Sequence, residues 1–265
     1  MNIKKTGCPG NLFYTFLLST VIISCSNKKE IFETAAISDY LPLAVGKYIT
    51  YRLDSAVFTQ SGAAISTNSY QVKHVISSTT EDNAGQLTYI VQRFINDVDA
   101  SGAWISNGTY LITPYDNKTE VINDNQRIIV LQAPLKTGFT WNGNSYLIHP
   151  DTLTDASPYS DLYDMYVDDE MYKWDFTYLN YGDEQYEGQQ YANVWTVQQN
   201  NDSLNIPPTS ATSYGYKAVS TEKYAKGIGL VYKTLQLYDY QGASTDNSSA
   251  HYTGFGITMW MIDHN

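Results

Sequence analysis

Polar and apolar residues alternate along much of the chain after residue 40. Between positions 45 and 58 the odd-numbered residues are mostly apolar, whereas the even-numbered ones include Arg52 and Asp54. A period of two is that of a β-strand with one buried face. The pattern therefore predicts a strand here, and positions 70–76 repeat it.

Similar stretches predict further strands, separated by short polar turns. They cover positions 87–98, 104–113, 119–131, 172–178, 191–199, 217–224, 228–240 and 251–263. Two polar, proline-containing stretches are predicted as long loops: 149–161, a possible hinge, and 200–213. Because capped helical stripes are absent, the sequence predicts an all-β fold with little helix. We expect an antiparallel, strongly curved sheet that forms a half-barrel or barrel.

The first 25 residues have the features of an export signal. Lys4 and Lys5 precede an almost wholly apolar run at 12–23, which is shorter than the roughly 20 residues needed to cross a bilayer. The residues before Cys25 resemble the lipobox of bacterial lipoproteins. That resemblance implies a diacylglycerol on the Cys25 thiol and cleavage before this residue. The alternative is an ordinary signal peptide with a chance cysteine.

These features predict the organisation of the whole chain. We expect a signal peptide at 1–24, a lipidated cysteine and tether at 25–39, and a single all-β domain at 40–265. No intramolecular disulfide is expected, because Cys8 lies in the signal and leaves Cys25 as the only cysteine after cleavage. Ser26 follows the cysteine where aspartate would favour retention, so resemblance to lipoprotein sorting favours the outer membrane. Whether the domain faces the periplasm or the exterior stays open.

The charge of the chain excludes some partners. The formal net charge is −11, and removal of Lys4 and Lys5 would make it more negative. Nucleic-acid affinity depends mainly on Lys and Arg contacts with phosphates, so nucleic acid is not an expected partner. An electrostatic membrane patch is disfavoured for the same reason. We therefore expect contact with the membrane through the lipid on Cys25.

A row of aromatic residues, Tyr172, Trp174, Phe176 and Tyr178, is the most distinctive local pattern. Their spacing places all four on one face of the predicted strand. Such a row can be a buried core face, since each ring buries about 150–250 Å². It can also line a ligand site, either by stacking on sugar rings or by enclosing an apolar molecule. The charged opposite face favours the core interpretation.

Other polar groups give no catalytic or metal-binding pattern, so no catalytic residue, metal or cofactor is predicted. Paired carboxylates could hydrolyse a glycosidic bond, but an acidic chain contains such pairs by chance. The two clusters are Asp161, Asp164, Asp168, Asp169 and Glu170, and Asp183, Glu184 and Glu187. The turn containing Asp97, Asp99 and Ser101 resembles the start of a calcium loop but lacks the acidic twelfth residue. His74 falls on an apolar strand face and is expected in the core.

Three sequence blocks, at residues 41–48, 224–233 and 261–265, have distinctive motifs. They match a "PLxxGxxW/Y" entry, a "YAxGIGLVYKE" strand, in which Thr234 replaces the frequent glutamate, and an "IDHN"-like tail. In these motifs the chain resembles an uncharacterised family of secreted Bacteroidetes lipoproteins. The resemblance implies export and lipid anchoring, and it implies no activity.

The sequence thus predicts a membrane-anchored lipoprotein of the cell envelope. Its expected role is to bind a ligand or partner without catalysis, the ligand being a glycan or an apolar molecule. The first alternative is a surface polysaccharide hydrolase that uses paired carboxylates. The second is a structural or assembly lipoprotein.

Overall fold

The computed structural model describes residues 35–147, 171–244 and 249–265. These residues lie within one compact unit. The predicted signal peptide, Cys25 and the possible hinge at 149–161 lie outside the described residues. Within the described ranges, no helix is long and apolar enough to cross a membrane.

The described residues contain twelve strands in one antiparallel sheet. The strands are β1 (Tyr48–Thr59), β2 (Ala64–Glu81), β3 (Leu87–Asp97), β4 (Ile105–Pro114), β5 (Lys118–Asn123), β6 (Gln126–Gln132), β7 (Thr140–Asn142), β8 (Asp175–Tyr186), β9 (Gln189–Leu204), β10 (Tyr214–Ala225), β11 (Gly229–Gln241) and β12 (His251–His264). Their order in the sheet is β6-β5-β4-β3-β2-β1-β12-β11-β10-β9-β8-β7. Strands that are neighbours in the chain therefore pair with each other, except β6 and β7, which form the two edges of the sheet, and β1 pairs with β12.

The sheet curves until its two edges meet. Ile129 on β6 donates a backbone hydrogen bond of 2.8 Å to the carbonyl of Gly143, just after β7. The indole Nε1 of Trp141 donates to the Ile129 carbonyl, also at 2.8 Å. The result is a nearly closed, barrel-shaped antiparallel sheet. The predicted fold class is confirmed.

Part of the expected tether belongs to the folded unit. Residues Ile37–Tyr40 form a short helix, α1, in which Ile37 and Tyr40 are buried. Gly227, in the β10–β11 turn, donates a 2.6 Å hydrogen bond to the Asp39 carbonyl. The folded unit therefore includes residues that the sequence pattern placed before the domain, because four residues are too few to show a helical period.

Several predicted strand bounds need correction. The strand predicted at 119–131 is a hairpin, and its turn residues Asp124 and Asn125 have φ of 50° and 60°, as two-residue hairpin turns require. The loop predicted at 200–213 is wrong at its start, because β9 continues to Leu204. The strand predicted from 172 begins at Asp175, since Met171–Lys173 form a 3-10 helix.

Candidate ligand cavity

The described residues of the barrel-shaped sheet line a partly open cavity of about 470 Å³. Its lining is mostly apolar, because core-facing strand positions alternate with solvent-facing ones. The apolar lining includes Leu41, Leu43, Ile49, Leu53, Val72, Ile76, Val91, Ile112, Val121, Ile128, Val130, Leu230, Leu235, Phe255, Ile257 and Met259. Thirteen polar or charged residues complete it, among them His74, Arg93, Glu222 and Lys233.

One end of the cavity is covered by the segment that follows α1. Leu41 and Leu43 pack against Ile76, Val91 and Ile112. The first residues of β1 lie at this end, and Asn265 fixes them by accepting a 2.8 Å hydrogen bond from the Tyr48 amide. We call it the α1 end. Pro42 and Leu43, which belong to the block at 41–48, thus line the apolar part of the cavity.

Along β3, β4 and β5, the cavity wall becomes polar beyond Val91, Ile112 and Val121, which pack near Leu41 and Leu43; we call this polar part the far end. The register of β3 to β6 brings the last part of β3, the start of β4 and the β5–β6 turn to this end. Four cavity residues there can form hydrogen bonds: Arg93, Asn107, Asn123 and Gln126. The wall formed by β3 to β6 is therefore apolar where it meets Leu41 and Leu43 and polar at the far end.

His74 lies in the cavity wall between two tyrosines. The Tyr110 hydroxyl and His74 Nδ1 are 3.2 Å apart, and the Tyr51 ring centroid is 5.1 Å from that of His74. Burial, together with the nearby Arg93 and Lys233 charges, lowers the pKa of His74 to about 3. The imidazole is therefore neutral at physiological pH and forms a polar, uncharged part of the cavity wall. It lies on the inward face of its strand, as the apolar positions around it predicted.

A buried ion pair joins β10 and β11 in another part of the cavity wall. Glu222 is 4% exposed at its side chain and accepts a 2.8 Å hydrogen bond from Lys233 Nζ on the neighbouring strand. The Tyr224 hydroxyl donates a second hydrogen bond to this carboxylate. Burial and the adjacent Glu222 raise the pKa of Tyr224 well above its usual value. Both oxygens of Glu222 accept hydrogen bonds. The pair therefore stabilises the fold, and the carboxylate is not free to act as an acid or a base.

The predicted aromatic row is divided by the structure. Trp174, Phe176 and Tyr178 are all buried, and Trp174 and Phe176 line the cavity. Tyr178 packs in the solid wall, where its hydroxyl donates to the Gln132 carbonyl at 2.9 Å. Tyr172 lies in the 3-10 helix and not on the strand face. Only two of the four residues therefore face the cavity.

The carboxylate clusters lie apart from the cavity or outside the described residues. Asp183 accepts a hydrogen bond from the Asn193 amide, and Glu184 pairs with Lys223 at 2.7 Å. Neither they nor Glu187 line the cavity. The cluster from Asp161 to Glu170 falls in the part of the chain that is not described.

The calcium-like turn is stabilised by its own hydrogen bonds. Asp97 accepts backbone hydrogen bonds from Asp99, Ser101 and Gly102 at 3.0–3.1 Å, which lower the pKa of its carboxyl. Both carboxylate oxygens therefore already have partners. Among the described residues, no group of three or more His, Cys, Asp or Glu side chains could hold a metal ion.

Sequence reasoning missed the charged residues of the cavity, although the pattern contained a signal for them. Arg93 stands between Val91 and Ile95, and Lys233 between Val231 and Leu235. Each occupies a position where the alternation calls for an apolar residue. A charge on the core face of a strand is costly unless it has a partner or a function, so these interruptions could have been recognised.

No family model matches the chain, and no curated protein matches it. Solved structures with a similar fold include a Bacteroides fragilis protein with a YmcC-like fold, 10% identical, with a TM-score of 0.35 over 84% of this chain and 96% of that chain. LprF from Mycobacterium bovis is 7% identical, with a TM-score of 0.25 over 86% of this chain and 90% of that chain. Since these scores are below 0.5, the likeness carries no conclusion about ligand or activity.

Proposed function

We propose that this chain is a cell-envelope lipoprotein, anchored through Cys25, whose β domain binds an apolar or amphipathic small molecule without catalysis. The observation that carries the proposal is the partly open cavity of about 470 Å³ with its mostly apolar lining. Ligand sites typically have volumes of about 300–1,000 Å³ and combine apolar walls with a few polar groups. Transfer of an apolar group from water into such a space is favourable.

The cavity favours an apolar ligand over a glycan, the other class that the sequence left open. A sugar carries hydroxyls on all sides, and each would need a hydrogen-bond partner once removed from water. Around Leu41, Ile76 and Ile112 the cavity wall is aliphatic. A hydrocarbon chain or ring system matches this part of the cavity far better than a saccharide does.

The cavity gives little support to the hydrolase alternative. Among the described residues, the carboxylates that line it are Asp124 and Glu222. Glu222 is engaged by Lys233 and Tyr224, whereas the Asp124 side chain is 73% exposed in the β5–β6 turn. A glycosidase needs two free carboxylates facing one bond. A structural or assembly role is also less favoured, because it does not require an internal cavity.

Binding of a neutral fluorescent probe tests the proposal. N-phenyl-1-naphthylamine should become fluorescent in the presence of the full chain carrying Cys25→Ser, and titration gives its Kd. Ile257→Trp adds bulk to the cavity lining and should weaken binding at least tenfold. Ile105→Trp adds the same bulk at a position that is 66% exposed and should leave the Kd unchanged. Equal binding by both variants, with folding verified by circular dichroism, would contradict an internal site.

A further inference from the structure

The polar wall at the far end of the cavity contains an arginine without a matched counter-ion. Arg93 Nη2 is 3.9 Å from the Asp124 carboxylate, which is longer than a charge-assisted hydrogen bond of about 2.7–2.9 Å. The Arg93 Nε is buried and has no hydrogen-bond partner among the described residues. An exposed and distant carboxylate compensates a guanidinium only weakly.

The backbone around Arg93 makes room for its side chain. The β3–β4 register shifts between Gln92 and Phe94, so Arg93 lies at a bulge. Gly108 on β4 has φ of +94°, and a Cβ at this position would lie 2.7 Å from Arg93 Nη2. The guanidinium thus occupies space that only glycine leaves free.

Neighbouring side chains add unused hydrogen-bonding capacity to this wall. Asn123 donates through Nδ2 to Asp124 at 2.8 Å, while its buried Oδ1 has no partner within the described residues. Asn107 and Gln126 border the same space. Among the charged side chains of the cavity, the cations Lys47, Arg93 and Lys233 outnumber the anions Asp124 and Glu222, although the chain as a whole is acidic.

We propose that Arg93 binds the anionic group, a carboxylate or a phosphate, of an amphipathic ligand whose apolar part extends toward Leu41 and Leu43. This inference rests on the proposed function, since it specifies the ligand class and its orientation within the same cavity. A guanidinium presents planar N–H donors that match both anions, often in pairs. The apolar part of the ligand then lies against the aliphatic side chains of Leu41, Leu43 and Ile76.

Displacement of the neutral probe by three amphiphiles of equal chain length tests the inference. Dodecanoate, dodecyl phosphate and dodecanol are titrated against the full chain carrying Cys25→Ser with bound N-phenyl-1-naphthylamine. At least one anionic amphiphile should bind tenfold or more tightly than dodecanol. Tighter binding of dodecanoate would indicate a fatty-acid-like ligand, whereas tighter binding of dodecyl phosphate would indicate a ligand that carries a phosphate.

Variants assign this preference to Arg93. Arg93→Gln should reduce the difference between the preferred anion and dodecanol to about twofold, while dodecanol binding stays unchanged. Arg52→Gln removes the same charge from the outer face, where Arg52 pairs with Asp54 at 2.9 Å, and should retain the preference. Arg93→Lys keeps the positive charge and should retain part of the anion preference. This variant provides a second measurement if Arg93→Gln does not fold.

The outcomes separate this inference from the proposed function. If all three amphiphiles bind equally, or if Arg93→Gln retains the anion preference, Arg93 is not the anion site although the cavity binds apolar molecules. If none of the three displaces the probe and Ile257→Trp has no effect on probe binding, both proposals are wrong.

Discussion

Lys233 and Glu222 face each other across neighbouring strands inside the barrel-shaped sheet, with Nζ 2.8 Å from the carboxylate. The glutamate is almost fully buried and the lysine is 27% exposed at its side chain. Removal of one partner from such a pair leaves an uncompensated charge in a medium of low polarity. Removal of either partner alone should therefore destabilise the folded chain.

Lys233→Met should lower the free energy of unfolding by roughly 3 kcal/mol, because the Glu222 charge loses its partner. Lys226→Met is the matched control: Lys226 pairs with Asp39 at 3.4 Å on the surface, and its loss should cost less than about 1 kcal/mol. Denaturant titration measures both effects. Addition of Glu222→Gln to Lys233→Met should restore part of the loss. Similar losses in both single variants would contradict the buried-pair interpretation.

His74 should make stability depend on pH in a defined window. Its pKa is about 3 in the folded chain, compared with an ordinary value of 6.5. The unfolded chain therefore binds a proton more readily, so the contribution of neutral His74 is complete above pH 6.5 and is lost as the pH falls toward 3. Each pKa unit corresponds to about 1.4 kcal/mol. The charged and titratable groups beside His74 are Tyr51, Tyr110, Arg93 and Lys233.

His74→Gln isolates this effect. The variant should lose less stability than the unmodified chain between pH 7 and pH 4, because glutamine does not titrate. Denaturant titrations at several pH values give the two curves. Parallel curves over this range would show that His74 does not titrate differently on unfolding.

Trp141 should be required for closure of the sheet. Its indole is 5% exposed and donates a hydrogen bond to the Ile129 carbonyl on the other sheet edge. Trp141→Phe removes this donor and should cost about 1–3 kcal/mol, the range for a buried acceptor left unsatisfied. Amide hydrogen exchange should accelerate in β6 and remain unchanged in β11. Uniform acceleration throughout the sheet would indicate global destabilisation instead.

Gly108→Ala should alter ligand preference as well as stability. Both Gly108 and Gly188 have positive φ, so alanine at either position strains the backbone, but only the Gly108 Cβ would meet another side chain, that of Arg93. The two variants should therefore be destabilised to a similar extent. Only Gly108→Ala should weaken the preference for an anionic amphiphile over dodecanol. An unchanged preference would mean that the guanidinium position does not matter for binding.

The lipid anchor is tested independently of the cavity. Cells that express the chain should incorporate labelled palmitate into it, and Cys25→Ser should abolish incorporation and release the protein from the membrane fraction. Cys8→Ser removes the other cysteine of the chain and should change neither result. Protease treatment of intact cells then distinguishes the periplasmic from the external face.

The period-two pattern was sufficient to predict most strands because burial of one strand face imposes it locally. It predicted β1, β10, β11 and β12 to within a few residues of their bounds. It failed at the Asp124–Asn125 turn, which lies in the polar run 123–127 between two short apolar stretches, because the prediction continued one strand across that run. It also failed at Leu204, where a strand continues into a polar segment that faces solvent on both sides.

By itself, the sequence determined that the chain folds as an antiparallel, strongly curved sheet, because alternating burial and close turns are local properties. It predicted the anchor at Cys25 from a local motif in the same way. Only the tertiary structure decided that Trp174 and Phe176 border a cavity while Tyr178 lies in solid core, and that Arg93, Asn123 and Leu43 share one partly open space. That space depends on where the two edges of the sheet meet, through contacts such as that of Trp141 with Ile129. This contact joins residues twelve positions apart on two different strands, so the period of a single strand does not encode it.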